Sequence, residues 1–171
     1  FQSRKDDFLR DVDHLKAASL NNHALDLDQF AFPLKATCFV RDPRDLVVSG
    51  YFYHRRGAEP WSTKVDPTPA DWEIVNGVIP AGMPAGQSYA DYLSGMEPEQ
   101  GLLTELEFRT AHFDAMGAWN YEDPRLHLFR YEEILGKEEE TFARFADIYD
   151  LNPRWRRVIL NAARQHSLAN V

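Results

Sequence analysis

An arginine and a serine eight residues apart offer the clearest chemistry in this sequence. The apolar run 36–40 ends at Arg41, and Ser49 follows within a stretch that is compatible with a helix. The guanidinium group of arginine can bind two oxygens of a phosphate or a sulfate at once. A helix that begins nearby adds oriented backbone N–H groups and a favourable dipole. The spacing therefore predicts an anion site where a buried strand ends and a helix begins.

The elements that must position these residues alternate between strands and helices. Two stretches, 35–40 and 125–131, have the composition or the alternation of strands. We predict helices over residues 43–54, 88–96, 98–119, 138–149 and 152–166. Asp42 suits the N-cap of the first of these helices, and Pro43 suits its first position. Strands that alternate with helices predict an α/β fold, a parallel sheet flanked by helices.

The long helix and the helix over 138–149 each have a predicted buried face. In the long helix the face is apolar and consists of Leu102, Leu103, Leu106, Phe113, Met116 and Trp119. In the later helix the stripe of Phe142, Phe145, Ala146 and Tyr149 is predicted to belong to the core.

The length of 171 residues predicts a single domain over residues 1–171. Within it, the segment 57–86 carries Trp61, Trp72 and half of the prolines, without clear periodicity. Connections of this length inside a domain are commonly binding loops or lids. We predict that 57–86 is a lid or an acceptor loop, and the alternative is a surface excursion.

The composition excludes some classes of partner and favours one kind of compartment. A formal net charge of −8 opposes broad capture of nucleic acid, which needs a basic surface. The single cysteine, Cys38, provides no disulfide framework, which favours a reducing, cytoplasmic location. No apolar stretch approaches the roughly 20 residues that span a bilayer, so we expect no membrane segment.

Four segments together resemble one enzyme family. The stretch RDPRDLVVSGYFYH (41–54) resembles the 3′-phosphate-binding segment of the sulfotransferases that use 3′-phosphoadenosine 5′-phosphosulfate (PAPS). The stretch LHLFRYEEILGKEEETFARFADIYDL (126–151) is similar to a later strand and helix of that family. The stretch SYADYLSG (88–95) resembles its short helix before the acceptor site, and QHSL (165–168) falls at its T-S-F stretch near the adenine. The resemblance covers residues 35–171.

The resemblance implies a P-loop-like α/β fold that transfers a sulfuryl group. The donor would be PAPS, the acceptor a hydroxyl or an amine of a small molecule or carbohydrate, and the product adenosine 3′,5′-bisphosphate (PAP). Arg41 and Ser49 match the family's two 3′-phosphate ligands in type and spacing. Ser167 and Leu168 would lie near the adenine, with Leu168 in place of the usual aromatic residue. The family's chemistry implies no metal.

The resemblance also suggests a general base, because a histidine precedes the arginine segment in the family. His23 in SLNNHAL occupies that place, and imidazole titrates near neutral pH. A surface histidine in a turn is the alternative. For Arg41 the alternative is an ion pair with Asp42, Asp45 or Glu132. Further acceptor or lid candidates are His54, Trp61 and Phe108, although for His54 we expect a solvent-facing position over one in the cleft.

Two elements of the family pattern are not found in this sequence. No glycine precedes Gly50, so the glycine-containing loop that holds the 5′-phosphosulfate is missing, as is the later glycine loop over the 3′-phosphate. We expect the sequence to be a portion of a larger enzyme. The alternative is a non-catalytic sulfotransferase-like domain that binds or interacts without transfer. A kinase-like enzyme is disfavoured because G-x-x-x-x-G-K-[ST] does not occur.

Overall fold

Two short parallel strands and several helices form the described part of the chain, which comprises Leu9, Ala17 and residues 19–167 of the computed structural model. These residues belong to two compact units. Of the described residues, the helical unit comprises Leu9, Ala17, residues 19–25 and Pro43–Trp119, and the sheet unit comprises Asp26–Asp42 and residues 120–167. The predicted α/β class is confirmed, and the single domain stays a prediction. The finer expectation of a sulfotransferase-like fold stays a prediction.

The sheet unit is built on strands β1 (Ala36–Val40) and β2 (Leu126–Arg130). They pair in parallel, with Ala36 opposite Leu126 and Val40 opposite Arg130. Because parallel strands end at the same edge of a sheet, the residues that follow both strands leave the sheet at one edge. Both strands were predicted from the sequence, and their bounds agree to within one residue. The expectation that the first strand is buried is wrong, because its residues are half-buried, except for Phe39, which is exposed. Arg41 follows β1 directly, and Tyr131 follows β2 directly.

In the described part of the helical unit there are five α-helices, which surround an aromatic core. They are α1 (Pro43–Arg55), α2 (Pro69–Trp72), α3 (Tyr89–Ser94), α4 (Pro98–Phe108) and α5 (Thr110–Ala118). Short 3-10 turns cover Pro60–Thr63 and Glu73–Val75. Helix α1 begins at Pro43 as predicted, because proline fixes its own φ and its missing N–H is not needed there. The buried core consists of Tyr51, Trp72, Tyr89, Leu93 and Phe108.

The sheet unit contains the remaining α-helices of the described chain, α6 (Tyr131–Ile134), α7 (Glu138–Ile148) and α8 (Pro153–Gln165), together with a 3-10 turn over Leu27–Gln29. The side chain of Asn152 accepts hydrogen bonds from the first backbone N–H groups of α8, which confirms the predicted start of that helix. Phe145 of α7 lies 6.4 Å from the ring of Phe39 and 6.5 Å from that of Phe129. The predicted aromatic stripe of this helix therefore packs on the sheet.

The prediction of one long helix over 98–119 is wrong, and its predicted buried face is wrong in part, since Leu102 packs against the core. The helix divides at Arg109, whose dihedral angles (φ −86°, ψ 4°) leave the α-helical region. The hydroxyl of Thr110 donates a hydrogen bond to the carbonyl of Glu107 at 2.8 Å, so it satisfies a group that ends α4. The two leucines expected inside, Leu103 and Leu106, are exposed. The buried residues of α4 are instead Gly101, Thr104, Glu105 and Phe108.

The segment 57–86 is folded, and part of it is buried in the core. Trp72 and Pro80 are fully buried, and the indole of Trp61 stacks on Phe108 with ring centroids 5.1 Å apart. Large aromatic rings bury more apolar area than other side chains, which explains how a segment without periodicity joins a core. The role of this segment as a lid or acceptor loop stays a prediction.

Among the described residues, we find no helix with the length and apolar character that crossing a membrane requires.

Candidate functional site

Arg41 lies at the carboxyl edge of the parallel strands, directly after β1. Its Nε atom is buried and has no hydrogen-bond partner among the described residues. The guanidinium group lies over the ring of Tyr131, with 4.6 Å between Cζ and the ring centroid. The side chain is therefore held by an aromatic ring at the point where the sequence predicts an anion site, while a strong donor remains unsatisfied.

The carboxylate of Glu132 lies at the same edge, and it was one of the predicted alternative partners of Arg41. Its Oε1 atom accepts a hydrogen bond from the backbone N–H of Asp42 at 2.8 Å. That bond, followed by the bond from its own backbone N–H, lowers the pKa of Glu132, and the nearby charge of Arg41 also lowers it. Glu132 is thus an anion held by the backbone at the start of the loop after β1.

The other predicted nucleotide ligands are Ser49, Ser167 and Leu168. Ser49 is exposed on α1, in the helical unit. Ser167 belongs to the sheet unit, where its hydroxyl donates to Oε2 of Glu138 at 3.0 Å. Leu168 lies outside the described residues. The assignments of these three residues to the nucleotide stay predictions.

The predicted base, His23, is half-buried in the helical unit. Its Nε2 atom lies 3.1 Å from the backbone carbonyl oxygen of Glu73. The ring is therefore anchored by a specific hydrogen bond, unlike the side chain of a surface histidine in a turn. Its role as a base stays a prediction.

The predicted acceptor residues His54, Trp61 and Phe108 lie together in the core of the helical unit. The expectation that His54 faces solvent is wrong, because only 6% of it is exposed. Its ring lies edge-on to Trp61 at 4.8 Å and to Phe108 at 5.3 Å. His54 is buried because a buried side chain accepts a hydrogen bond from its ring N–H. This acceptor was not predicted from the sequence.

That acceptor is Glu105, whose side chain is completely buried. Its Oε2 atom accepts hydrogen bonds from Nδ1 of His54 and from the hydroxyl of Tyr89, each at 2.9 Å. Its Oε1 atom accepts from Nε of Arg109 at 2.7 Å. We call these four residues the Glu105 network. One buried carboxylate thus connects α1, α3 and α4 and the residue that follows α4.

Burial and the charges of the network determine the protonation of Tyr89 and of the neighbouring His112. Burial, and then the charge of Glu105, raise the pKa of the Tyr89 hydroxyl, so Tyr89 acts as a donor. His112 lies next to Arg109, with 3.4 Å between Nδ1 of His112 and Nη1 of Arg109. Burial, followed by the charge of Arg109, lowers the pKa of His112 to about 4. His112 is therefore neutral at pH 7.

The signals for this network in the sequence are local and weak. Glu105 and Arg109 have the i, i+4 spacing of a helical ion pair, but such pairs are usually exposed and contribute little. His54 stands 51 residues earlier, and no spacing rule connects it to Glu105. A fully buried arrangement of this kind holds helices together, since its donors and acceptor are all paired within the core.

Gly50 on α1 provides the space that the network occupies. A Cβ atom at this position would press against Oε1 of Glu105 and Nη2 of Arg109, closer than side chains pack. We therefore expect Gly50→Ala to lower the free energy of unfolding by about 1–3 kcal/mol, because the substitution overpacks a filled core. Urea denaturation followed by circular dichroism measures this difference.

A second helical glycine, Gly117 of α5, is the matched control, because a Cβ there meets no atom within 4 Å. Gly117→Ala is expected to leave stability unchanged or to raise it by roughly 0.5–1 kcal/mol. Equal destabilisation by the two substitutions would show that the space at Gly50 is unimportant.

No cluster of three or more His, Cys, Asp or Glu side chains suited to a metal ion occurs within the part of the chain that the structure describes. Comparisons with protein-family models, with curated proteins and with solved structures found no match.

Proposed function

We propose that this protein is a PAPS-dependent sulfotransferase and that Arg41 binds the 3′-phosphate of the nucleotide. The observation that carries the proposal is the buried Nε of Arg41, which has no acceptor among the described residues. A buried donor without a partner costs about 1–3 kcal/mol, and a phosphate oxygen would satisfy it. A fork-shaped cation is also the side chain best suited to a phosphate.

The position of Arg41 supports the same proposal. It follows a strand that pairs in parallel with its neighbour, and ligands of open α/β sheets bind beyond the carboxyl ends of such strands. The order of the four resembling segments along residues 35–171 is the reason for proposing PAPS as the nucleotide. Ser49 is assigned to the same phosphate, and Ser167 and Leu168 to the adenine. These assignments come from the resemblance and not from measured distances. The resemblance is also the basis for proposing the P-loop-like fold.

The chemistry requires a donor, a base and an acceptor. Bound PAPS supplies the sulfuryl group, whose bond to the phosphate oxygen breaks as the acceptor oxygen bonds to sulfur. His23 takes the proton that the acceptor hydroxyl loses. Holding the reacting groups in place and removing this proton are the contributions that the protein makes.

We predict that His23→Ala in the full protein lowers turnover by about 100-fold or more, the usual contribution of a general base. PAP affinity should stay near that of the unchanged protein, because His23 is not assigned to the nucleotide. Release of PAP from PAPS in the presence of a panel of hydroxyl acceptors measures turnover, and calorimetry measures PAP affinity.

The control for this substitution is His127→Gln, at a half-buried histidine of β2 with no assigned role. Undiminished turnover in His23→Ala would remove this histidine as the base. Binding of PAP without any turnover in the unchanged full protein would favour the non-catalytic alternative instead.

A further inference from the structure

The turn that carries His23 is joined to the rest of the helical unit by two asparagine side chains. Nδ2 of Asn22 donates to the backbone carbonyl of Val75 at 2.8 Å. In return, Nδ2 of Asn76 donates to the backbone carbonyl of Asn22 at 2.6 Å and to that of Ala111 at 3.1 Å. We call this reciprocal pair the asparagine clasp. It connects positions more than 50 residues apart in the sequence.

Both asparagines adopt left-handed backbone conformations, with φ of 60° at Asn22 and 51° at Asn76. Asparagine tolerates this conformation better than most residues, apart from glycine. In each case the backbone turns so that the side-chain amide faces the opposite segment. The clasp therefore depends on two residues whose side chains and backbones both fit their positions.

The same turn also holds the ring of His23. The 3-10 turn Glu73–Val75 ends at Asn76, and the carbonyl oxygen of Glu73 lies 3.1 Å from Nε2 of His23. A carbonyl oxygen only accepts hydrogen bonds, so Nε2 must carry the hydrogen. The neutral ring then has its lone pair on Nδ1, which is the atom able to accept a proton.

We propose that the asparagine clasp positions His23 and fixes Nδ1 as its basic atom. This inference rests on the proposed function, in which His23 accepts a proton from the acceptor hydroxyl. Asn22 and Asn76 are positioning residues, because they act through the imidazole ring and not on the substrate. Glu73 contributes only its backbone carbonyl, so the identity of its side chain is unimportant for this role.

The test uses Asn76→Gly, which keeps the left-handed backbone accessible and removes only the amide. In the chain labelled with ¹⁵N-histidine, NMR identifies the ring nitrogen that carries the hydrogen in neutral His23. We expect the Nε2–H form in the unchanged chain and a mixture of both forms in Asn76→Gly and in Asn22→Gly. The control is Asp66→Gly, another left-handed residue (φ 50°), whose side chain accepts from Gly86.

An Nδ1–H form in the unchanged chain would overturn the inference. So would a ring that stays entirely in the Nε2–H form in both asparagine variants, provided that circular dichroism shows them folded. Asn22→Gly serves as the second variant if Asn76→Gly does not fold.

A second measurement separates this inference from the proposed function. In the full protein, Asn76→Gly should lower kcat about tenfold by misplacing the base, with PAP affinity unchanged. A mixed ring form with unchanged kcat would overturn the role of the clasp in catalysis but leave PAP binding by Arg41 standing. If the unchanged protein did not bind PAP, the proposed function itself would be wrong.

Discussion

Replacing Glu105 with glutamine is expected to lower the free energy of unfolding by about 3–5 kcal/mol, the usual cost of breaking a buried charge pair. The substitution keeps the size of the side chain but removes the charge that faces Arg109. It also replaces one acceptor oxygen by a donating NH2 group. Three donors now point at the carboxylate, from His54, Tyr89 and Arg109, so at least one of them loses its acceptor.

Fluorescence during urea denaturation reports this effect directly, because Trp61 and Trp72 belong to the same core as the network. The matched control is Glu99→Gln, at an exposed carboxylate in the first turn of the same helix, α4. There we expect a loss of no more than about 1 kcal/mol, from the helix dipole. The interpretation of the network would be wrong if both variants unfolded at the same urea concentration.

Replacing Arg41 with alanine is expected to weaken PAP binding by about 2–4 kcal/mol, which is roughly 30-fold to 1,000-fold in affinity. The substitution removes the guanidinium that the proposal assigns to the 3′-phosphate. Arg41→Lys should recover only part of the affinity, because an ammonium group lacks the planar fork that binds two phosphate oxygens. Titration calorimetry with PAP measures each variant.

The control for Arg41 is Arg157→Ala, which removes an exposed arginine from α8 in the same unit and changes the net charge equally. It is expected to alter PAP affinity less than twofold, because an exposed charge is screened by salt. If Arg41→Ala and Arg157→Ala bound PAP equally well, Arg41 would have no part in the nucleotide site.

The strands and the helix starts could be predicted because their causes are local. The run Ala36–Val40 is apolar and ends at a charged residue, and the Asn152-Pro153 pair provides both a cap and a suitable first residue for α8. These features act within a few residues, so a single sequence contains them. The pairing of β1 with β2 followed from the α/β pattern, although the register did not.

The buried face of α4 could not be predicted, because charge pairing reverses the rule that apolar residues lie inside. Glu105 is buried while Leu103 and Leu106 are exposed. A buried carboxylate is stable only when its donors are present, and these donors come from separate positions along the chain. The position of His54 was missed for the same reason, since its acceptor is distant in the sequence.

For the candidate site, the sequence indicated which residues could take part but not which side chains surround them. Arg41 follows β1 as expected, yet its placement over the ring of Tyr131 depends on β2 and could not be derived from its own segment. His23 was predicted from a resemblance, whereas the asparagine clasp depends on residues more than 50 positions later. Long-range hydrogen bonds of this kind leave no periodic pattern in a sequence.

We propose that this chain recognises the 3′-phosphate of an adenine nucleotide, and titration calorimetry with two ligands is the sharpest test. PAP and adenosine 5′-monophosphate differ only in that phosphate. We expect the unchanged chain to bind PAP at least about tenfold more tightly, as for one charge-assisted contact. Equal affinity for the two nucleotides, or binding of neither, would contradict it.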